Sequence, residues 1–260
     1  MPQSGGLFWQ DHGGAGPALL LSSGLGGSGS YWASNVAGLN RRCRVFTYDH
    51  RGTGRSDRTI AGALTVDAMA DDMIELMNAI GLARATVIGH AAGGLAGLAL
   101  ALKAPERMSG LVVVNGWARL DSHTARCFDV RLMLLRDSGP RAYLHAQPLF
   151  LYPPEWISAR PQALLAEEET LLGHFPGVEM MQRRIAAVRL FNIADRLGAI
   201  RVPTLCIASE DDNLVPPHCS ADLAKGIAGA QCITMRGGHA CNVTQPKEFN
   251  DLVNHWVYGD

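Results

Sequence analysis

The sequence has few of the features that would direct a protein to nucleic acid or to a membrane. Charged residues make up 18% of its 260 residues, below the roughly 25% typical of soluble domains, and the formal net charge is −1. No basic stripe or acidic tail is present, so neither nucleic acid nor an anionic membrane is expected as a partner. No basic stretch precedes a long apolar run near the N-terminus, and the first apolar run, 18–21, is strand-sized. We therefore expect no signal peptide and no membrane span.

Motifs for metals and cofactors are also lacking. The six cysteines form no C-x-x-C pair, which favours a reduced, cytoplasmic protein with cysteines as small buried apolar residues. Histidines and cysteines are not at ligand spacing, and His239 with Cys241 would supply too few ligands for a metal. There is no P-loop, and the glycines of 24–29 only loosely imitate a dinucleotide fingerprint. We expect no metal, no cofactor and a small-molecule substrate, and a homodimer is one expectation for the assembly.

Apolar residues make up 47% of the chain, enough for a sizeable core. Short apolar runs predict buried strands, and apolar residues at 3-4 spacing or in small-residue runs predict helices. Strands alternating with helices indicate an α/β protein with a mostly parallel, doubly wound sheet. The predicted strands are 17–21, 44–48, 85–88, 111–114, 203–208 and 231–235; the predicted helices are 66–80, 95–102 and 246–257.

Between about 117 and 195 the pattern changes. Helical signals continue, punctuated by arginines and prolines, but no run typical of a buried strand occurs. The sequence therefore predicts a core formed by 1–117 and 196–260 and a helical cap formed by 118–195.

A tight turn is predicted where the 85–88 strand meets the next helix. The segment 87–94 reads V-I-G-H-A-A-G-G, the frame of the nucleophile elbow G-x-S-x-G. Its central residue is Ala91, which has no group able to attack a substrate. The N–H of Ala92 would serve in an oxyanion hole. An ordinary glycine-rich turn is the alternative.

A second glycine-rich segment, 22–27, follows the first predicted strand. In this frame the loop supplies the other oxyanion-hole N–H, often from an H-G-x-G sequence. Ser23 stands in place of the histidine, Gly24 follows it, and Leu25 would supply the N–H. A flexible loop with no role in catalysis is the alternative.

The remaining motifs follow in chain order. The string D-x-R-G-x-G-x-S over 49–56 is typical of a structural brace, so Asp49 and Arg51 receive no catalytic role. The strand ending near 208 leads into an acidic loop, whose register to Pro216 selects Asp212 over Asp211 and Glu210, although a solvated acidic turn is the alternative. His239 follows the last strand and is the predicted catalytic histidine. His90, inside the elbow, is expected to pack rather than react.

The order elbow, Asp212, His239 is that of the α/β-hydrolase fold, and ligands of open α/β sheets bind at the carboxyl ends of the strands. The chain further resembles the RutD family of bacterial pyrimidine degradation over nearly its whole length. The strings that carry this resemblance are S-G-L-G-G-S-G-S-Y-W at 23–32, V-N-G-W at 114–117, A-Q-P-L-F-L-Y-P at 146–153 and G-G-H-A-C-N-V-T at 237–244.

The resemblance implies hydrolysis of 3-aminoacrylate to malonic semialdehyde and ammonia, or hydrolysis of carbamate. It also implies that Ala91 is compatible with the family. We expect His239, oriented by Asp212, to act on water or shuttle protons without a covalent intermediate. Three alternatives stay open: a serine-type esterase changed at position 91, a carbon–carbon hydrolase or oxygenase that uses the His/Asp pair, and a catalytically silent binding protein.

A small carboxylate substrate would require a cation. Arg119, Arg126 and Arg131 in the predicted cap are candidates, of which Arg126 and Arg131 are preferred. For any one of them a solvated or paired side chain is the alternative. Trp117 is predicted to line the pocket, with core packing as the alternative.

Overall fold

The protein is built on one eight-stranded sheet, described here from a computed structural model that covers residues 3–60 and 62–259. Its strands are β1 (Gln3–Ser4), β2 (Leu7–Asp11), β3 (Ala18–Ser22), β4 (Arg44–Tyr48), β5 (Ala85–His90), β6 (Met108–Val114), β7 (Thr204–Ser209) and β8 (Gln231–Met235). The strand order is β1-β2-β4-β3-β5-β6-β7-β8. The six strands from β3 to β8 pair in parallel, as the alternation of strands and helices predicts.

The antiparallel edge formed by β1 and β2 was not predicted from the sequence. β2 pairs with β4, with Trp9 opposite Tyr48. Only Leu7 and Phe8 of β2 are buried, while the rest of the strand is more exposed. Without alternating apolar residues, β2 gives no strand signal, and its pairing with β4 stabilises it instead.

Helices flank the sheet and form an insertion between β6 and β7. Their bounds are α1 (Ala33–Leu39), α2 (Val66–Ala79), α3 (Ala92–Lys103), α4 (Ser122–Asp137), α5 (Gly139–Leu151), α6 (Pro154–Ser158), α7 (Pro161–Gly173), α8 (Val178–Leu190), α9 (Pro217–Gly226), α10 (Cys241–Thr244) and α11 (Pro246–Tyr258). α3 begins three residues before the prediction of 95–102, because the small residues after Ala91 already adopt helical conformation.

Helices α4 to α8 form the insertion, and no strand of the sheet lies within it. An isolated antiparallel bridge between Arg119 and Asn192 joins its two ends. The boundaries of the cap at 118 and 195 stay a prediction.

Apolar side chains pack on both faces of the sheet. One cluster joins the sheet to α2, α3 and the cap, and a second joins it to α1 and α11. Every residue of β5 is buried, and α3 is buried from Ala92 to Ala101. The segments that follow β3, β5, β7 and β8 each contribute a residue to one cavity, namely Leu25, Ala91, Leu214 and His239. Across the described ranges, no helix is long and apolar enough to cross a bilayer.

Candidate active site

Ala91 lies in the sharp turn between β5 and α3, with φ 44° and ψ −112°. Positive φ is unfavourable for a residue with a side chain. The turn depends on its glycines: a Cβ on Gly89 would lie 2.4 Å from the backbone of Gly93, and a Cβ on Gly93 would lie 2.3 Å from the Ser22 carbonyl oxygen. The methyl group of Ala91 borders a cavity beneath the cap. It offers no nucleophile, so no covalent intermediate can form at this residue.

His239 and Asp212 meet beside this turn. The ring nitrogen Nδ1 of His239 donates to Oδ2 of Asp212 over 2.7 Å, and both side chains are buried. The other carboxylate oxygen accepts from the N–H groups of Leu214 and Val215, at 2.7 and 2.9 Å. The carboxylate thus holds Nδ1 as the protonated nitrogen, which leaves Nε2 of the neutral ring as the basic nitrogen. His239 borders the cavity.

The two neighbouring acids serve differently. Oδ1 of Asp211 accepts from the N–H groups of Gly237 and Gly238, at 2.9 and 3.0 Å, and so braces the loop that carries His239. Glu210 is exposed, and its backbone N–H donates to the carbonyl oxygen of Met235 at the end of β8. Of the three acids, Asp212 alone contacts the histidine ring among the hydrogen bonds of the described residues.

The loop after β3 forms the wall of the cavity opposite His239. Gly24, Leu25 and Ala92 all border the cavity. The N–H groups of Leu25 and Ala92 have no acceptor in the described part of the chain, which suits them to receive a developing negative charge. A Cβ on Gly24 would lie 2.8 Å from Nδ1 of His90, so the loop packs directly on the elbow histidine.

His90 and Asn115 hold the backbone of His239. Nε2 of His90 and Nδ2 of Asn115 each donate to the His239 carbonyl oxygen at 2.8 Å. Burial lowers the pKa of His90 well below its ordinary value, which keeps the ring neutral. Asn115 lies in the V-N-G-W string but received no site role from the sequence, and its positive φ of 50° is visible only in the structure.

The cavity has a volume of about 520 Å³ and is lined by residues of both core and cap. Trp117 and Arg131, both predicted to contact substrate, border it and are 2% and 3% exposed. Nη2 of Arg131 donates to the Tyr143 hydroxyl at 2.6 Å and to Gln147 at 3.3 Å. The Nε of Arg131 and the Nε1 of Trp117 have no hydrogen-bond partner among the described residues. Because both atoms can only donate, they suit an acceptor-rich ligand such as a carboxylate.

The expectation for Arg126 is corrected by the structure. Arg126 is exposed and does not border the cavity, and neither does Arg119. Five residues separate Arg126 from Arg131 on α4, and at about 100° per residue their side chains leave the helix on different faces. Only the face that carries Arg131 looks into the cavity.

An acid of the cap faces the same space. Glu167 borders the cavity and accepts a long hydrogen bond of 3.5 Å from the Tyr152 hydroxyl. Burial raises the pKa of Glu167 above its ordinary value. The cavity therefore has a basic region at Arg131 and an acidic one at Glu167, which the sequence did not indicate.

A group of potential metal ligands lies outside the cavity lining. Asp121, His218 and Cys219 place one ligand atom each within 4.8 Å of one another. Asp121 also caps α4 by accepting from the His123 N–H at 2.7 Å, and its other oxygen lies 3.3 Å from the His218 ring. The geometry is that of a helix cap paired with a histidine.

Comparisons with known proteins agree with this geometry. The family model for the alpha/beta hydrolase fold matches residues 17–151. A protein of Caulobacter sp. (strain K31) named "Putative carbamate hydrolase RutD" is 52% identical, covering 98% of this chain and 97% of that protein. A protein of the same name from Klebsiella pneumoniae subsp. pneumoniae is 44% identical, covering 91% and 90%.

Solved structures share the whole fold, cap included. The enol-lactonase from Burkholderia xenovorans LB400 superposes with a TM-score of 0.88 at 27% identity, covering 97% of this chain and 96% of that one. A hydrolase from Pseudomonas aeruginosa PA01 superposes with a TM-score of 0.84 at 28% identity, covering 96% and 94%. The chain therefore belongs to the α/β-hydrolase fold family and, within it, to the RutD family.

Proposed function

We propose that the protein hydrolyses a small C–N compound in pyrimidine catabolism, either carbamate or 3-aminoacrylate, and that it does so without a covalent intermediate. The observation that carries the proposal is Ala91 at the elbow beside a complete His239–Asp212 pair. The pair serves proton transfer, for which a passive binding protein has no use. The RutD relatives carry the name of a carbamate hydrolase, which supports hydrolysis of a C–N bond.

The chemistry requires only water and protons. Aminoacrylate plus water gives malonic semialdehyde and ammonia, and carbamate plus water gives bicarbonate and ammonia. Aminoacrylate first takes a solvent proton on C2, which makes C3 an electrophilic iminium carbon, and carbamate needs no such step. Nε2 of His239 then removes a proton from a water molecule held near the Ala91 methyl group, and the water oxygen attacks the carbon that bears nitrogen. The N–H groups of Leu25 and Ala92 stabilise negative charge on oxygen, and His239 returns the proton to the leaving nitrogen. When ammonia leaves the aminoacrylate adduct, the carbinol proton returns to solvent. General acid–base assistance of about 10²–10⁴-fold is sufficient for substrates that already decompose in water.

Replacing His239 by alanine tests this mechanism. We expect His239→Ala to reduce ammonia release from freshly generated 3-aminoacrylate, or from carbamate, to the spontaneous rate, because the base is lost. His255→Ala, which removes an exposed histidine of α11, is the matched control. Ammonia release by His239→Ala at the wild-type rate would contradict the proposal, and comparing the two substrates decides between them.

We further propose that Arg131 and Trp117 bind the substrate carboxylate, since both residues border the cavity and each has a buried donor without a partner among the described residues. Arg131→Gln is expected to raise KM about 10- to 100-fold with a small change in kcat. A hydrogen bond to a charged group contributes about 1.5–3 kcal/mol. Arg126→Gln removes an exposed arginine from the same helix and should leave KM unchanged. Equal KM values for the two variants would rule out this assignment.

A serine-type hydrolase changed at position 91 is the second candidate, favoured by the structural likeness to the enol-lactonase.

A cytoplasmic location and a homodimer also belong to our proposal. All six cysteines are free, in keeping with a reducing compartment. In the described ranges the exposed large apolar side chains all belong to cap helices. Light scattering that gives twice the chain mass would support the dimer, and a single chain mass would exclude it.

A further inference from the structure

A buried arginine of the cap forms a hydrogen bond with the loop 23–27, which contains Leu25. Arg184 lies on α8 and its side chain is completely buried, with 0% exposure. No ion pair joins it to a carboxylate among the described residues. Burial lowers its pKa to about 10, so at neutral pH the guanidinium keeps its charge. Burying a charge without a counter-ion is costly, whereas methionine would fill similar space at no such cost.

The hydrogen bonds of Arg184 all lead toward the loop 23–27. Nε donates to the Leu25 carbonyl oxygen at 2.7 Å, and Nη2 donates to Nδ1 of His50 at 3.0 Å. His50 in turn donates its backbone N–H to the Gly27 carbonyl at 2.7 Å. Thr53 donates its hydroxyl to that same carbonyl at 3.1 Å.

The loop is thus fixed between two sides. On the outer side lie Arg184, His50 and Thr53, and a Cβ on Gly27 would come within 2.4 Å of the Thr53 hydroxyl and 3.0 Å of the Arg184 guanidinium. On the inner side Gly24 packs on His90. The loop has no helix or strand pairing of its own, so these contacts set the direction of its peptide groups.

We propose that Arg184 is a positioning residue that holds the Leu25 carbonyl and thereby orients the Leu25 N–H of the oxyanion hole. The geometry of this donor then depends on contact between the cap and the loop. The inference rests on the proposed function, because it concerns the hole used in that reaction. Arg184 does not border the cavity, so it acts on substrate only through the loop.

The test compares Arg184→Met and Arg184→Lys with Arg183→Met. Arg183 precedes it on α8 and donates to the Gly62 carbonyl, far along the chain from the loop. We expect Arg184→Met to lower kcat about 10- to 100-fold with KM changed less than threefold. This loss is smaller than the roughly 10²–10³-fold expected for removing a donor outright. Arg184→Lys, which keeps one charged donor, should lie between wild type and Arg184→Met.

Two further readouts separate positioning from stability. Amide hydrogen exchange of 23–27 should accelerate at least tenfold in Arg184→Met at equal thermal midpoint, and added guanidinium should restore part of the kcat of Arg184→Ala. If kcat and loop exchange of both Met and Lys variants equal those of Arg183→Met, the inference is overturned. If wild type shows no His239-dependent ammonia release, the proposed function fails instead, and loop exchange still decides whether Arg184 holds the loop.

Discussion

At the scale of single residues, the side chains of Ala91 and His239 limit the chemistry that is possible in the cavity. The methyl group of Ala91 leaves room where a hydroxyl would stand, and the basic nitrogen of His239 faces the same cavity. The backbone at Ala91 nevertheless keeps the unfavourable conformation of an elbow. This conformation places the helix N-terminus and the Ala92 N–H toward the cavity, and both are as useful to a water mechanism as to a covalent one.

Serine at position 91 should introduce covalent chemistry. We expect Ala91→Ser to gain hydrolysis of simple esters such as p-nitrophenyl acetate, because the new hydroxyl would lie beside His239 and the oxyanion donors. The measurement is the release of nitrophenolate with an initial burst. The double variant Ala91→Ser/His239→Ala is the control and should show none.

The effect of this change on the native reaction distinguishes the two candidate functions. The water mechanism predicts that Ala91→Ser loses ammonia release, since the hydroxyl occupies the position of the water. Strong esterase activity with ammonia release unaffected would favour a serine-type hydrolase altered at this position.

At the scale of elements, the junction between β5 and α3 requires the backbone of α3 to lie close to the ends of β5 and β3. α3 is apolar on all sides and lies against the sheet, and its first turn touches the end of β3. Side chains are excluded there because backbone atoms, which cannot move aside cheaply, occupy the space.

Gly93→Ala tests this junction. The added Cβ would lie 2.3 Å from the Ser22 carbonyl oxygen, so we expect unfolding free energy to fall by about 1–3 kcal/mol, with loss of activity as the elbow shifts. Gly173→Ala, at the end of α7 with no atom within 4 Å of the new Cβ, should be neutral or stabilising by up to about 1 kcal/mol. Urea denaturation measures both, and equal stability of the two variants would contradict the close approach.

At the scale of the whole molecule, the region between cap and core carries buried polar groups. Arg131 and Arg184 come from the cap, while His50, His90 and Asp212 come from the core, and most are nearly inaccessible to solvent. Electrostatic interactions there are stronger than in water. The stability of the molecule should therefore depend on the charge state of these groups.

The buried histidines predict acid sensitivity. Burial lowers the pKa of His50 and His90 well below 6.5, and the Arg184 charge lowers that of His50 further. The unfolded chain binds protons at these residues near pH 6.5, but the folded chain does not. The free energy of unfolding should thus be constant above that pH and fall below it, by up to about 1.4 kcal/mol per pH unit for each residue.

Urea denaturation between pH 5 and 8 measures this slope. His90→Gln should reduce it by the contribution of one histidine, whereas His255→Gln, at an exposed position, should leave it unchanged. If the unfolding free energy of both variants depended on pH with the same slope, burial of His90 would not be a cause of the acid sensitivity.

Local sequence patterns predicted much of the fold and part of the candidate site. The parallel strands follow from short apolar runs, and the positions of Ala91, Asp212 and His239 follow from glycine and proline spacing at strand ends. The edge strands β1 and β2 were missed, because β1 is two polar residues long and the apolar residues of β2 do not alternate. Glu167 and Arg184 were missed because no local motif marks them. Asn115 lies in the V-N-G-W string, but its hydrogen bond to His239 spans 124 residues and has no local signal.

The sequence by itself determined the α/β-hydrolase architecture and the absence of a nucleophile at position 91, since periodicity, turn glycines and residue identity are local properties. Only the tertiary structure decided which of the three candidate cap arginines borders the cavity. Arg126 and Arg131 look alike in the sequence, yet the helical twist sends one to solvent and the other into the cavity. It also brought Arg184 to the Leu25 carbonyl across 159 residues, because contacts between distant segments depend on how the cap packs against the sheet.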